Sequence, residues 1–379
     1  SRRGRCALSC TNWASGALVP ARDFTLCVDL KMLTLPTKQT LPAAWTAADF
    51  AEGSRQWLRT LSVDEITELE AAAKSCLDKG LAIAQITKEN FALPALAAQL
   101  GHLKECLLQG IGFGVLRGLP VGQYDRQTAA AIFYGVGAHL GHARSQNGAG
   151  HLLGHVRDIG ANSEDTSVRI YQTSERQSFH TDSCDVVGLL CLKTAKRGGE
   201  TLLVSAVTIF NEMLVRRPDL LPPLFEALAT DRRGEVDTGQ KPYFQIPVFN
   251  WHAGYLSSIY QRQYIDSAQR FADAPRLSQR HVEALDLFDD LANDPRLQVR
   301  MQLEPGDMQF VHNHTLLHDR TGFEDYPEPG QRRHLLRLWL SSPGDRPLPE
   351  CFAERFGSVE IGNRGGVFVP STQLHAPLD

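Results

Sequence analysis

Apolar and polar residues change their rhythm along this chain, and the change divides it. Ser62 followed by Glu65 has capping-box spacing ahead of "SVDEITELEAAAKSCLDKG", and Gly80 is a helix stop, which predicts a helix from 63 onward. Residues 94–109 continue in helical style, "GFGVLRGLP" (112–120) reads as a short strand, and 127–141 predicts a further helix ending in glycines. The stretch 142–160 has little periodicity and many Gly, Asn, Ser and His, the composition of a long functional loop. From residue 168 the character shifts. "SVRIYQ" and "CDVVGLLCLKTA" are strand-like, "KRGGE" (196–200) is a turn, and "TLLVSA" (201–206) is the next strand. A helical pair is expected in "AVTIFNEMLVRRP" and "DLLPPLFEALA", strand in "VFNWHAGYLSSIY", and a helix over 279–295, where Val282, Leu285, Phe288 and Leu291 share a face. Leu297, Val299, Met301 and Leu303 then alternate, Pro305-Gly306-Asp307 turns into another strand, and 332–342 is the last. Strands with helical insertions and no βαβ rhythm predict an α+β chain built on a jelly-roll type barrel rather than a parallel sheet.

Composition narrows the function. The formal charge is −4 and the pI about 6.4 over 379 residues, so there is no basic excess to neutralise phosphates, and nucleic acid is not an expected partner. No run of 18 apolar residues is present, so no membrane span is expected. The eight cysteines are irregularly spaced without a C-x-x-C pair, which reads as free thiols in a reducing compartment. Residues 1–40 stand apart: they carry Arg2, Arg3, Arg5 and Arg22, and no acid occurs before Asp23. This leader reads either as an organellar transit peptide or as a disordered or upstream-translated tail with Met32 as the start. A cytoplasmic location is expected, or a mitochondrial or plastid one if residues 1–31 are a transit peptide. One domain is expected from 41 to 379. Oligomeric state stays open, a homodimer included.

The chemistry begins at "SFHTDSCDVVGLLCL" (178–192). A carboxylate on an apolar strand is costly unless paired. Residues i and i+2 of a strand point the same way, so His180 and Asp182 would aim an imidazole and a carboxylate at one point. "VHNHTLLHDRTGF" offers His312, His314 and His318 for a third ligand. Two histidines and one carboxylate with an open face suit non-haem Fe(II). Arg333 and Arg337, four apart on the last strand, share a face, and an arginine facing a barrel interior needs an anion. A dicarboxylate co-substrate would supply one.

"FHTD" (179–182), "GGETLLVS" (198–205), "EPGDMQFVHNHTLLHDRTGF" (304–323) and "QRRHLLRLW" (331–339), in this order, resemble the TauD/TfdA (taurine dioxygenase, clavaminate synthase-like) Fe(II)- and 2-oxoglutarate-dependent oxygenases. The likeness covers about residues 90–345. It implies a double-stranded β-helix core, Fe(II) held by His180, Asp182 and His318, and O2 and 2-oxoglutarate as co-substrates. It further implies that Thr201 and Arg333 bind 2-oxoglutarate and that Arg337 faces the substrate or the near end of the co-substrate. The implied reaction hydroxylates or desaturates a small organic, anionic or zwitterionic molecule, with release of succinate and carbon dioxide. Halogenating relatives have a small residue in place of Asp182. The position four before the first ligand, polar in taurine enzymes, is Arg176 here, a departure that puts a taurine-type pocket in doubt.

Plainer readings stand beside these. His180 and Asp182 could be a hydrogen-bonded pair. His318 could be a core histidine with His314 the ligand; otherwise His312 and His314 line the strand near the metal or face solvent. Arg333 could pair with Glu324 or Asp325, and Thr201 could be only a strand former. Cys184 shares strand parity with the pair, either near iron or as an inert thiol. Gln146, Asn147, His151 and His155 are candidate substrate contacts in the loop 142–160, and 232–250 is a second pocket-lining loop. A barrel that binds metal or ligand without turnover is the alternative to an enzyme.

Overall fold

The computed structural model describes residues 35–50, 56–161, 169–236, 239–369 and 372–379, and Leu35–Asp379 form one compact unit. Residues 1–34, and with them most of the predicted leader, lie outside the described residues.

Seven α-helices are described: α1 (Val63–Asp78), α2 (Ala97–Leu108), α3 (Arg126–Leu140), α4 (Ala206–Arg216), α5 (Arg262–Ala268), α6 (Gln279–Ala292) and α7 (Ala353–Phe356). The strands are β1 (Leu58–Thr60), β2 (Phe113–Arg117), β3 (His142–Arg144), β4 (Gly154–Val156), β5 (Gln177–His180), β6 (Val186–Lys193), β7 (Arg197–Gly198), β8 (Thr201–Ser205), β9 (Leu228–Asp231), β10 (Tyr243–Ile246), β11 (Phe249–His252), β12 (Tyr255–Ser258), β13 (Gln298–Met301), β14 (Met308–His312), β15 (Leu316–Arg320), β16 (Phe323–Glu324) and β17 (His334–Ser341).

The predicted capping box is formed: the Ser62 backbone N–H donates to Glu65 Oε2 at 2.9 Å, and the Glu65 N–H donates to Ser62 Oγ at 3.3 Å. Three expectations are corrected. The loop 142–160 contributes two short edge strands, because β3 and β4 pair along β17. The strand expected at "SVRIYQ" is, where described, a 3-10 turn at Ile170–Gln172. "DLLPPLFEALA" forms 3-10 turns rather than a full helix, as Pro222 and Pro223 remove backbone donors.

Two sheets face each other, as in a jelly roll. The larger runs β1-β2-β14-β6-β17-β3, with β4 also on β17; the smaller runs β13-β8-β15-β5. Alternation explains the layers. Leu336, Leu338 and Leu340 of β17 pack outward with α1–α3, while Leu335 and Trp339 point inward to meet Leu203, Val299 and Leu316 of the smaller sheet. Arg337 has the inward parity. On the far side, Leu202, Val204 and Leu317 pack with α4 and α6. The Pro-Gly-Asp turn is fixed by Asp307, fully buried, whose carboxylate accepts two bonds from Arg117 at 2.9 and 2.7 Å.

The chain's end crosses the larger sheet at β4. The carbonyl of Pro377 lies 3.0 Å from His155 Nε2, so that nitrogen donates; His155 Nδ1 is then bare and accepts from His334 Nε2 at 2.8 Å. The His155 ring is therefore neutral. Burial holds His155 below its ordinary value and His334 down to about 3. An unfolded histidine titrates near 6.5, so below that pH the unfolded chain takes up protons the folded one refuses, and stability falls as pH falls. Urea midpoints should drop between about pH 7 and about pH 5, by less in His334→Gln than in the wild type, with a difference of the order of 1 kcal/mol. Equal drops in both proteins would refute the assignment of this pair as a source of acid sensitivity.

Candidate metal centre and co-substrate cavity

β5 and β15 pair so that His180 lies directly opposite His318, with ring centroids 4.2 Å apart. Asp182 reaches the same point by another route. It lies beyond the end of β5 rather than on it, so strand parity does not aim it, as the sequence had suggested. Its backbone N–H donates to Asn313 Oδ1 at 2.9 Å, which fastens the loop to the β14–β15 turn. Its carboxylate accepts from Trp339 Nε1 at 2.8 Å and lies 3.7 Å from His318 Nε2 and 3.9 Å from His180 Nε2. One donor atom from each of the three falls within 4.8 Å of the others.

The protonation states suit a cation. Burial opposes the charge on Asp182, yet Arg337, His318, His180 and the Trp339 bond outweigh it and hold the carboxyl below its usual range. Burial keeps His180 below its ordinary value and pushes His318 down to about 3, so both are neutral near pH 7. His180 Nδ1–H donates to the Ser178 carbonyl at 2.8 Å, which leaves its Nε2 lone pair facing Asp182, where the Gln177 amide now donates to it at 2.9 Å. His318 Nδ1 is buried and has no partner. Two neutral imidazoles and one carboxylate on one side fit Fe(II) with open positions.

A cavity runs from His180 and His318 to Thr201, Arg320 and Arg333. Arg333 is 5% exposed, and its Nη1 is buried without a hydrogen-bond partner, a state folded proteins avoid. Only its backbone N–H meets Asp325, at 2.8 Å, and Glu324 pairs with Lys196 and Arg197, so neither predicted ion pair forms. Burial pushes Arg333 down to about 10. The Gly-Gly turn makes room for it. Gly199 has φ +73°, and a Cβ there would meet Arg333 Nε at 2.9 Å. Thr201, 4% exposed, starts β8 on the same wall.

A second cleft shares Tyr171, Gln177, His180 and Arg337 with this cavity, so the histidine edge opens to both. Arg337 Nε donates to Gln146 Oε1 at 2.7 Å, and its Nη1 is 3.6 Å from Asp182 Oδ2. The cleft is walled by Phe244, Ile246 and Val248 from the predicted 232–250 loop, and also by Arg169, Tyr260, Tyr264 and Arg355, which sequence reasoning did not single out.

The chain matches the model of the "Taurine catabolism dioxygenase TauD, TfdA family" over residues 78–339. It belongs to that family. It is 33% identical over 313 residues to FR-33289 synthase of Streptomyces rubellomurinus, covering 81% of this chain and 91% of that protein. It is 30% identical over 319 residues to the taurine hydroxylase-like protein SAT17 of Stachybotrys chartarum, covering 79% and 81%. The non-heme iron oxygenase OrfP, solved with Fe and alpha-ketoglutaric acid, superposes with a TM-score of 0.58 at 15% identity, covering 75% of this chain and 93% of that one. This TauD/TfdA chain is thus a 2-oxoglutarate-dependent non-haem iron dioxygenase with the jelly-roll core of its family, acting with Fe(II), 2-oxoglutarate and O2 on a small molecule. Among the described residues no helix is long and apolar enough to cross a membrane.

Several residues singled out in the sequence fall elsewhere in this dioxygenase. His312 and His314 neither line the metal edge nor face solvent. They are buried in a network in which His312 Nε2 lies 3.1 Å from Asp345 and His314 Nε2 lies 2.9 Å from Asp185. Arg364, fully buried, pairs with both carboxylates at 2.7 and 3.2 Å, so their positive partners are already present and this second group is a structural lock. Arg176 is committed to Asp319 at 2.6 Å and Asn293 at 2.6 Å, and it is not a cleft residue. Of the four loop candidates, Gln146 alone lines the cleft; His151 and His155 pack against the C-terminal segment. Cys184 is fully buried with a thiol pushed well up, the inert case.

Proposed function

We propose that His180, Asp182 and His318 hold the Fe(II), that Arg333 and Thr201 bind the far carboxylate of 2-oxoglutarate, and that Arg337 stands between co-substrate and substrate. Residues 41–379 act as one oxygenase domain. The observation that carries this reading is the buried, unpartnered Arg333 guanidinium at one end of a cavity whose other end is His180 and His318. A dicarboxylate with one end at the metal satisfies it.

Iron, when bound, supplies the chemistry by which 2-oxoglutarate loses carbon dioxide to become succinate, one oxygen atom of O2 entering succinate and the other a substrate C–H bond. The chain does the rest. Asp182 and the two neutral imidazoles set the charge at the metal. Arg337, over Tyr171 and Trp339 at 4.5 and 5.1 Å, holds charge balance beside Asp182. Tyr260 and the apolar wall of Phe244, Ile246 and Val248 shape one side of the cleft for the substrate. Hydroxylation or desaturation, rather than halogenation, is the expected outcome, because Asp182 fills the position that a halide would need.

The test is 2-oxoglutarate-dependent release of succinate by the purified protein with Fe(II) and a metabolite pool. Succinate should form only with iron present, and its complete absence, with iron shown to be bound, would overturn the reading in favour of a non-turning-over binding protein.

A further inference from the structure

A second cavity lies on the other side of the larger sheet. Its volume is about 400 Å³, and residues of α2, α3, β3, β17 and the segment between α1 and α2 line it. Spaces of about 300–1,000 Å³ are the size that small organic ligands fill. Leu338 and Leu340 form an apolar floor. Side chains alternate along β17, so Arg337 and Trp339 point the opposite way, to Asp182 at the metal edge. The sheet therefore separates the two spaces.

The walls hold polar groups that lack partners. Tyr134 of α3 is 6% exposed, yet its hydroxyl makes no hydrogen bond to any described residue, whereas a buried tyrosine ordinarily finds one. Burial pushes it up to about 12, so it stays a hydrogen-bond donor. Lys104 of α2 is half-buried and also meets no acceptor among the described residues. Burial lowers it, and the charge of Lys88 lowers it further, so two ammonium groups stand near each other on this wall. Asp345, whose charge favours the Lys104 ammonium, is already paired with His312 and Arg364. Glu89, the acid on the cavity wall, is exposed, and Thr87 holds its carboxyl below the usual range. An apolar floor beside two unpaired ammonium groups and an unpartnered hydroxyl is complementary to an apolar body that carries a carboxylate.

We propose that this cavity is a second ligand site, separate from catalysis, for an apolar organic acid: an aromatic or aliphatic body on Leu338 and Leu340, with its carboxylate on Lys104 and the Tyr134 hydroxyl. Such binding does not depend on which residues hold iron.

The test is calorimetric titration of the full chain, without O2, with naphthaleneacetate and decanoate, each paired with its neutral amide. It is run both with and without Fe(II) and saturating 2-oxoglutarate. At least one acid should bind more tightly than its amide by roughly 10- to 100-fold, the size of one charge-assisted contact, and equally in both conditions. Lys104→Gln should erase that preference at an unchanged melting temperature. Tyr134→Phe should weaken the acid by roughly 2- to 10-fold, the size of one neutral hydrogen bond. Ala138→Phe, which fills the space, should weaken acid and amide alike. No acid outbinding its amide, a preference that survives in Lys104→Gln, unchanged binding in folded Ala138→Phe, or displacement of the acid by 2-oxoglutarate would overturn the proposal.

Discussion

Asp182→Ala protein should fold, bind Fe(II) at least about 100-fold more weakly, and form no measurable succinate. Loss of even an outer partner of a metal ligand costs this much, and Asp182 is the one anionic donor of the triad. The change leaves Trp339 Nε1 without its acceptor but also removes a buried carboxylate, so the two effects on stability oppose each other. Metal content after gel filtration, measured with the melting temperature, separates loss of ligand from loss of fold. Wild-type iron content and turnover in a folded variant would exclude Asp182 from the metal site.

Arg333→Met has an effect of unusual sign. The 2-oxoglutarate KM should rise by about 100-fold or more, since two charge-assisted bonds of about 1.5–3 kcal/mol each are lost. Without co-substrate the same variant should be as stable as the wild type or more so, because a buried cation with an orphaned nitrogen is replaced by an apolar side chain of similar length. Arg333→Lys should fall between, a point charge replacing a fork. A structural ion-pair role would give the opposite result, with stability falling and KM unchanged.

Much of the site was legible because it lies on strands. His318, Thr201, Arg333 and Arg337 follow strand alternation or stand beside a glycine turn, and both leave marks in sequence. Asp182 was found by the wrong reasoning. Its aim depends on Asn313, 131 residues away, and no local pattern announces that bond. The cleft was half visible. Glu235 and the Phe244 wall fall in a loop that the family resemblance singled out, but Arg355 sits on a four-residue helix after the last strand, where nothing in the spacing points to the cavity. His312 and His314 misled because a histidine-rich segment looks like a ligand source; here the carboxylates that they meet, Asp185 and Asp345, are remote in the chain.

With His180 and His318 paired across neighbouring strands, the proposed iron ligation would make the metal a proofreader of the sheet. Sliding β15 by one position would turn its imidazole to the opposite face, toward α4 and the Leu317 layer, and only the correctly threaded barrel could bind the metal. Mass action then draws the population toward that threading, so cells starved of iron should accumulate the misthreaded, aggregation-prone form, and iron supplied during synthesis should protect more protein than iron added afterward.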